Sequence, residues 1–242
     1  MELRGRVALV TGAARRVGAA IARALAAKGM DVAVHYGSSA SEARQVVAEL
    51  RDAGVAAEGF GANLREVEAA RTLAGRVVAH FGRLDVLVNS AANMIEGPVE
   101  GITPEVWDEV FALNLRAPFF VTQGALPALR AAKGKVVNIA DLAGLEPWPT
   151  YVAHCTSKAG VVMLTKALAR ALAPDITVNA VAPGAVLLPE DWDEAKRKHF
   201  AATTPLKRLG SAEDVAQAVI YLLEADYVTG EVLVVDGGRL LR

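Results

Sequence analysis

The chain has 242 residues, which suits one large α/β domain or two small ones, and its 26 basic and 27 acidic residues argue against nucleic acid or an anionic membrane as a partner. Its single cysteine excludes an internal disulfide and a thiolate zinc cluster, and its four histidines lack metal-ligand spacing, so no metal site is predicted. The first apolar run is too short for a signal peptide and no charge-free stretch approaches a membrane span, so a cytoplasmic protein is expected.

Seven short valine-rich runs are nearly continuous in apolar character, as expected for strands that are covered on both faces. The predicted strands are Val7–Val10, Val32–Tyr36, Val55–Gly59, Val86–Asn89, Lys135–Ala140, Thr177–Ala182 and Val232–Val235. Helices are predicted between them at Gly18–Lys28, Ser41–Asp52, Pro104–Arg130 and Tyr151–Leu172. This alternation predicts a single-domain Rossmann fold over residues 1–242, an α/β fold with a doubly wound parallel seven-stranded sheet and helices on both faces.

Capping signals mark three of the helix starts. Ser39 with Glu42 and Ser211 with Asp214 have the spacing of capping boxes. Thr103 before Pro104 is typical of an N-cap followed by proline at the first helical position.

The first predicted strand continues into the turn VTGAARRVGAAIARAL. Gly12 and Gly18 bracket a tight turn that opens a helix, where backbone N–H groups and the helix dipole favour a pyrophosphate. Arg15 and Arg16 lie in the same loop, and guanidinium groups suit a phosphate partner. The alternative is that the two arginines belong to a solvated loop.

The second predicted strand ends in VHYGSSA, without the acidic residue that binds a ribose 2′-hydroxyl in NAD-specific sites. Ser38 and Ser39 are neutral and lie near the arginine-bearing turn, so NADP is favoured over NAD. The two serines also suit the cap of the next helix, and both roles can coexist.

Six motifs in chain order resemble the short-chain dehydrogenase/reductase family from end to end. They are TGAARRVG for the TG-x3-G-x-G turn, LDVLVNSAA for the NNAG strand, FALNLRAPFF for the helix asparagine, HCTSK for the lysine of Y-x3-K, VNAVAPG for the PG loop and YVTGEVLVVDGG for the last strand. The resemblance implies an NADPH-dependent oxidoreductase that acts on a small molecule as a homotetramer. The cofactor contacts predicted from the turn and the resemblance are Thr11, Gly12, Arg15, Arg16, Val17, His35, Tyr36, Ser38, Asn63, Leu64, Asn89, Ser90, Ala91, Lys158, Pro183, Gly184 and Val186.

Two departures narrow the resemblance. His154 stands at the position of the motif tyrosine, and the family's usual serine, thirteen residues earlier, is replaced by Asp141. An aspartate there, Arg16 in the glycine turn and HY at the end of the second strand resemble the pteridine reductases, which reduce dihydropterins and dihydrofolate with NADPH. Met94 stands where that branch has a stacking aromatic residue, so it is expected to be an apolar wall. The alternative is a carbonyl reductase like the 3-oxoacyl-carrier-protein reductases, which share the length and layout but normally keep serine and tyrosine.

The predicted catalytic residues are Asp141, His154, Lys158 and Asn114. His154 and Lys158 are four residues apart on a predicted helix and share a face. Imidazole exchanges a proton near neutral pH without help, so Asp141 and His154 are predicted to form an acid pair that delivers a proton as hydride arrives. The resemblance assigns Lys158 to the nicotinamide ribose and Asn114 to a water that links Lys158 to solvent.

Tyr151 is the rival proton donor, although it lies about two helical turns from Lys158. The remaining alternative is an NADP(H)-binding sensor or scaffold in which His154 has no catalytic task. Met94, Trp148 and Tyr151 are predicted substrate contacts, with Trp148 and Trp192 flanking the cleft, although single tryptophans are more often core or interface residues. Residues 185–210 lack regular structure and are predicted to form a substrate lid. Cys155 is expected to be a packed thiol.

Overall fold

The computed structural model describes residues 1–186 and 193–241. Within them, the strands are β1 (Val7–Val10), β2 (Asp31–Tyr36), β3 (Ala57–Gly61), β4 (Val86–Asn89), β5 (Lys135–Ile139), β6 (Thr177–Pro183) and β7 (Val232–Val235). The α-helices are α1 (Arg16–Ala27), α2 (Ala40–Asp52), α3 (Val67–Phe81), α4 (Pro104–Phe111), α5 (Ala117–Ala132), α6 (Val152–Leu172), α7 (Glu194–Thr203) and α8 (Ala212–Glu224).

The seven strands described form one parallel sheet in the order β3-β2-β1-β4-β5-β6-β7. Alternate residues of β1 serve opposite cores: Ala8 and Val10 pack with α1, α2 and α8, whereas Val7 and Leu9 pack with α3, α5 and α6. Both faces of the sheet are therefore covered, which is why its strands are apolar almost without interruption. The predicted single-domain, doubly wound α/β fold is confirmed.

The strand order reverses at β1, because the chain first moves outward through β2 and β3 and then returns to add β4 on the other side. In open parallel sheets, the crevice at the carboxyl ends of the two strands that flank such a reversal is where ligands bind. The loops after β1 and β4 are therefore the expected walls of the site.

Two local predictions were wrong. β3 begins at Ala57, two residues later than predicted, because the N–H of Val55 bonds back to the carbonyl of Leu50 and closes the end of α2. Ser39 precedes α2 but its side chain makes no cap bond, and Glu42 lies 3.7 Å from Arg15 instead. The other two predicted caps are present: Ser211 and Asp214 form a capping box, and the Thr103 hydroxyl accepts from Val106.

The helix predicted over Pro104–Arg130 is divided by a π-helical turn at Ala112–Arg116. Pro118 explains the division, because it has no N–H to donate to the carbonyl of Asn114 four residues earlier. The turn leaves Asn114 buried with only 1% of its surface exposed. The widened turn thus points this polar side chain into the protein.

In the two described ranges, no helix is long and apolar enough to cross a membrane. Over the same ranges, no three histidine, cysteine, aspartate or glutamate side chains are grouped in a way that suits a metal ion.

Candidate active site

The turn between β1 and α1 packs closely against the loop after β4. Gly12 has a φ of 65°, and a Cβ there would lie 2.9 Å from the Cα of Ala91. A Cβ on Gly18 would clash with the carbonyl oxygen of Gly12. The Thr11 hydroxyl accepts from the backbone N–H groups of Ser90 and Ala91 at 2.9 and 3.1 Å. Only glycines permit this cradle, which opens the N-terminus of α1 to a pyrophosphate.

Arg16 occupies the place of the family's middle glycine and keeps its left-handed backbone, with a φ of 54°. Arg15 is the N-cap residue of α1, and its side chain is 63% exposed. Ser38, after β2, is exposed as well. Two arginines thus lie beside the glycine cradle and no carboxylate ends β2, while the preference for NADP over NAD stays a prediction.

We expect Arg16→Gly to raise the free energy of unfolding by about 1 kcal/mol, since a left-handed φ strains any residue that has a Cβ. The same change should weaken NADPH binding more than NADH binding, because it removes a guanidinium from the phosphate site. Urea unfolding and cofactor titration measure the two effects. Arg16→Asn is the matched control, since asparagine tolerates this φ without the charge. An unchanged ratio of the two affinities would remove Arg16 from the phosphate site.

His35 braces the glycine turn from behind. Its Nδ1 accepts from the Gly12 N–H at 3.1 Å, so its Nε2 carries the hydrogen and donates to the carbonyl of Ala62 at 3.1 Å. Its own carbonyl accepts from the Ala13 N–H at 2.9 Å. Burial lowers the pKa of His35 to about 4, which keeps the ring neutral. Direct contact of His35 with the cofactor stays a prediction, and both ring nitrogens already have partners within the protein.

The lowered pKa of His35 makes stability depend on pH. The unfolded chain takes up a proton near pH 6.5 and the folded chain only near 4, so stabilisation is complete above pH 6.5 and is lost as the pH falls towards 4. Between pH 7 and 4.5 the wild type should lose about 2 to 3 kcal/mol through this residue. His35→Asn, whose carbonyl oxygen can also accept from Gly12, should lose less. Urea unfolding at both pH values tests this, and parallel losses in the two proteins would contradict it.

The other predicted cofactor residues lie at or just beyond the carboxyl ends of the strands. Tyr36 and Pro183 end β2 and β6. The Asn63 side chain accepts from the Arg65 N–H at 3.2 Å and so closes its own turn. Leu64 is buried in the core beneath α3 and α5. Val17, at the start of α1, is half-buried against the opposite core.

Two further predicted contacts fasten strand ends together. Asn89 donates to the hydroxyl of Thr122 at 3.2 Å and to the side-chain oxygen of Asn138 at 2.9 Å, which ties β4 to α5 and β5. The Gly184 N–H donates to Val235, and its own carbonyl accepts from Val186. These bonds give Asn89, Gly184 and Val186 a structural role. Contact of these three residues with a cofactor stays a prediction.

Asp141, His154 and Lys158 meet beyond the carboxyl end of β5. Oδ2 of Asp141 lies 3.6 Å from Nε2 of His154, and its Oδ1 accepts from the Ala143 N–H at 2.8 Å. Nζ of Lys158 donates to the carbonyl of Ile139 at 2.8 Å. Burial lowers the pKa of Lys158, while the negative charge of Asp141 opposes that shift. The predicted cluster is therefore present, with His154 and Lys158 on one buried face of α6.

Asn114 joins this cluster through a residue that the sequence analysis missed. Its Oδ1 accepts from the N–H of Asn93 and its Nδ2 donates to the carbonyl of Asn93, both at 2.9 Å. Nδ2 also donates to the Ser157 hydroxyl at 3.1 Å. The same Asn93 carbonyl lies 3.2 Å from Nδ1 of His154. The only available sequence signal was that Asn93 directly follows the NSAA motif, and a backbone contact requires no particular side chain.

Tyr151 does not join the cluster. It is the N-cap residue that precedes α6, and its phenol donates to Glu96 at 2.9 Å. Thr150 donates to the other oxygen of Glu96 at 3.0 Å, so the loop after β4 is tied to the start of α6. Tyr151 lies outside the helix, because α6 begins only at Val152. The arrangement favours His154 over Tyr151 as the donor.

Of the predicted substrate contacts, Trp148 packs beside His154, and contact of Met94 with a substrate stays a prediction. The Trp148 ring lies nearly parallel to that of His154, with centroids 6.4 Å apart and 19° between the planes. The backbone N–H of Trp148 donates to the sulfur of Cys155, which is half-buried as expected of a packed thiol. Met94 is 48% exposed.

The predicted lid over residues 185–210 falls partly outside the described residues, since 187–192 and with them Trp192 are not described. The described part contains α7, which starts at a side-chain cap from Asp193 and buries none of its residues. Phe200 of this helix lies under the guanidinium of Arg239, 3.4 Å from the ring centroid. That the segment acts as a lid stays a prediction.

Comparisons with known proteins give matches that cover nearly the whole chain. A family model described as enoyl-(acyl carrier protein) reductase matches residues 12–239. A Streptomyces violaceoruber protein named as ketoacyl reductase 2 of the granaticin polyketide synthase is 40% identical, over 97% of this chain and 96% of its own. A Staphylococcus aureus protein named 3-oxoacyl-[acyl-carrier-protein] reductase is 37% identical, over 97% and 98%.

A solved structure from Sinorhizobium meliloti 1021, described as a short-chain alcohol dehydrogenase, superposes with a TM-score of 0.93. It is 33% identical in sequence, and the match covers 99% of this chain and 98% of that one. The glycine cradle, the buried lysine and these matches all indicate the same family. The chain belongs to the short-chain dehydrogenase/reductase family and is an NAD(P)-dependent oxidoreductase.

Proposed function

We propose that the protein is an NADPH-dependent carbonyl reductase for 3-oxoacyl thioesters, in which His154 replaces tyrosine as the acid. The meeting of Asp141, His154 and Lys158 in one buried cluster carries the proposal. The names of the two relatives support the carbonyl-reductase alternative of the sequence analysis over its main interpretation, a pteridine reductase.

NADPH, when bound, supplies the hydride that adds to the substrate carbonyl carbon. Lys158 would hold the nicotinamide ribose, as the family resemblance implies. The protonated Nε2 of His154 donates its proton to the carbonyl oxygen, which becomes the hydroxyl of the product. The carboxylate of Asp141, 3.6 Å from Nε2, stabilises the protonated ring before transfer, and a proton from solvent restores it afterwards.

A pteridine reductase is the second candidate. Asp141 stands at the position where that branch keeps its aspartate, and Trp148 supplies an aromatic face beside His154 that Met94 does not. The phosphate-binding turn and the acid pair serve a C=N bond as well as a C=O bond. The two candidate functions therefore differ only in the substrate that the enzyme accepts.

A substrate panel tests the proposal through NADPH oxidation with acetoacetyl thioester, dihydrobiopterin, dihydrofolate and a quinone. Turnover of the thioester, with a large preference over the pterins, is the expected result. Turnover of the pterins alone would overturn the proposal in favour of the second candidate. If NADPH binds and no substrate is consumed, the protein is a sensor or scaffold and the proposal fails.

A homotetramer in the cytoplasm is the proposed working state. An apolar surface between α4, the π-helical turn, α5 and α6 supports it, with Phe111, Leu115, Phe119 and Leu164 around Met163, which is 63% exposed. Asp108 and Arg116 also line this surface and have opposite charges, which suits pairing with a second copy.

We expect Met163→Asp to lower the molar mass of the assembly measured by light scattering, because it places a charge in the centre of this apolar surface. Tyr221→Asp is the matched control, since Tyr221 is 55% exposed on α8 and lies outside the surface. An unchanged mass for Met163→Asp would place the interface elsewhere.

A further inference from the structure

The side chain of Asn114 has no hydrogen left for His154. Its amide nitrogen has two N–H groups, of which one goes to the Asn93 carbonyl and the other to the Ser157 hydroxyl. Ser157 in turn gives its own hydrogen to the carbonyl of His154 at 2.7 Å, so its oxygen is free to accept from Asn114. Asn114 Nδ2 is also 3.5 Å from His154 Nδ1, but both of its hydrogens already have closer acceptors.

His154 must therefore carry a hydrogen on Nδ1. The nearest partner of that atom is the Asn93 carbonyl at 3.2 Å, and a carbonyl oxygen only accepts. Asn114 fixes the position of this carbonyl by bonding both backbone groups of Asn93. One side of the imidazole ring is thus held by the backbone oxygen of Asn93, a residue whose N–H and carbonyl are both bonded to the Asn114 side chain.

The opposite nitrogen, Nε2, is buried and has no hydrogen-bond partner among the described residues. Asp141 Oδ2 lies 3.6 Å from it. In a neutral ring with hydrogen on Nδ1, a lone pair of Nε2 would face a carboxylate, which is unfavourable in a site with 3% exposure. A proton on Nε2 turns this contact into an ion pair and is the proton that remains available for transfer.

We propose that Asn114 is a positioning residue that, through the Asn93 carbonyl, holds the neutral form of His154 as the Nδ1–H tautomer and reserves Nε2 for the transferable proton. This role differs from the water-holding role that the family resemblance implies for Asn114. The proposal rests on the proposed function only where it names Nε2 as the atom that donates to the substrate. The tautomer itself is a property of the protein without substrate.

The tautomer is measured by nitrogen NMR on the full chain labelled with 15N-histidine, at alkaline pH where imidazole is neutral. Loss of one signal set in His154→Gln assigns the resonances. The expected result is a protonated Nδ1 and an unprotonated Nε2 in the wild type. The reverse assignment in the wild type overturns the proposal, whether or not any substrate is turned over.

Ser157→Ala is the sharpest variant, because it frees one Asn114 N–H to donate to Nδ1 of His154. It should shift the neutral ring towards the Nε2–H tautomer and lower kcat about 10- to 100-fold, with the NADPH dissociation constant unchanged. Asn114→Ala should lose the fixed tautomer. Thr156→Ala, on the exposed side of the same turn of α6, is the control and should change neither.

If Ser157→Ala keeps the wild-type tautomer, the hydrogen-bond accounting is wrong and the proposal fails. A shifted tautomer with unchanged kcat on an accepted substrate would confirm the tautomer control but overturn the assignment of Nε2 as donor. That second outcome would count against the proposed mechanism of the reductase, so the two failures are distinguishable.

Discussion

Replacing His154 with alanine is expected to lower kcat by about 10²- to 10⁴-fold, the usual contribution of a general acid, while the NADPH dissociation constant stays near the wild-type value. Nε2 of the ring is buried without a hydrogen-bond partner among the described residues and lies 3.6 Å from Asp141, while Nδ1 lies 3.2 Å from the carbonyl of Asn93. Stopped-flow or steady-state reduction of the accepted substrate gives kcat, and fluorescence titration gives cofactor affinity.

Two further variants serve as controls for the His154→Ala experiment. His154→Tyr restores the family's usual acid four residues before Lys158 and should recover part of the lost kcat, because the lysine ammonium favours ionisation of a phenol. His80→Ala, at an exposed position on α3, should leave kcat unchanged. Wild-type turnover by His154→Ala would rule out His154 as the proton donor and would favour Tyr151 instead.

Most of the fold was predictable because the sheet is buried on both faces, so each strand can be recognised in the sequence as an apolar run. β1, β4 and β7 begin and end where predicted. The errors lie where a single local contact decides: the Val55 N–H bonds to Leu50 in the turn after α2, and Glu42 lies 3.7 Å from Arg15 and does not cap the helix start. The division of the helix after Phe111 follows from one proline, which propensity alone does not locate as a π turn.

The proximity of Asp141 and His154 was predictable because they stand at the positions of the family's serine and tyrosine. The parts that escaped prediction depend on the backbone. The Asn93 carbonyl carries no side-chain signature, and the start of α6 one residue after Tyr151 directs that phenol to Glu96. Asp141 and Arg16 led to the pteridine-reductase interpretation, whereas the relatives matched over nearly the full chain are named as ketoacyl reductases, which supports the carbonyl-reductase alternative.

Lys158→Met is expected to abolish function without unfolding the protein. Methionine follows the lysine side chain as far as Cε and removes the charge of a residue that is 4% exposed, a desolvation relief that offsets the lost bond to Ile139. We therefore expect the free energy of unfolding to change by less than about 1 kcal/mol. The NADPH dissociation constant should rise about 10- to 100-fold, the usual effect of losing charged hydrogen bonds to a ligand.

The same variant should lower kcat more than either Asp141 or Asn114 variants do, because the lysine would serve both the cofactor ribose and the charge balance of the Asp141–His154 pair. Lys166→Met is the matched control, since Lys166 lies two turns further along α6 with its side chain exposed. Unfolding curves, cofactor titration and kcat on both variants separate the two roles. If Lys158→Met binds NADPH as tightly as the wild type does, the lysine acts on the acid pair alone, and the ribose contact must come from elsewhere in the crevice.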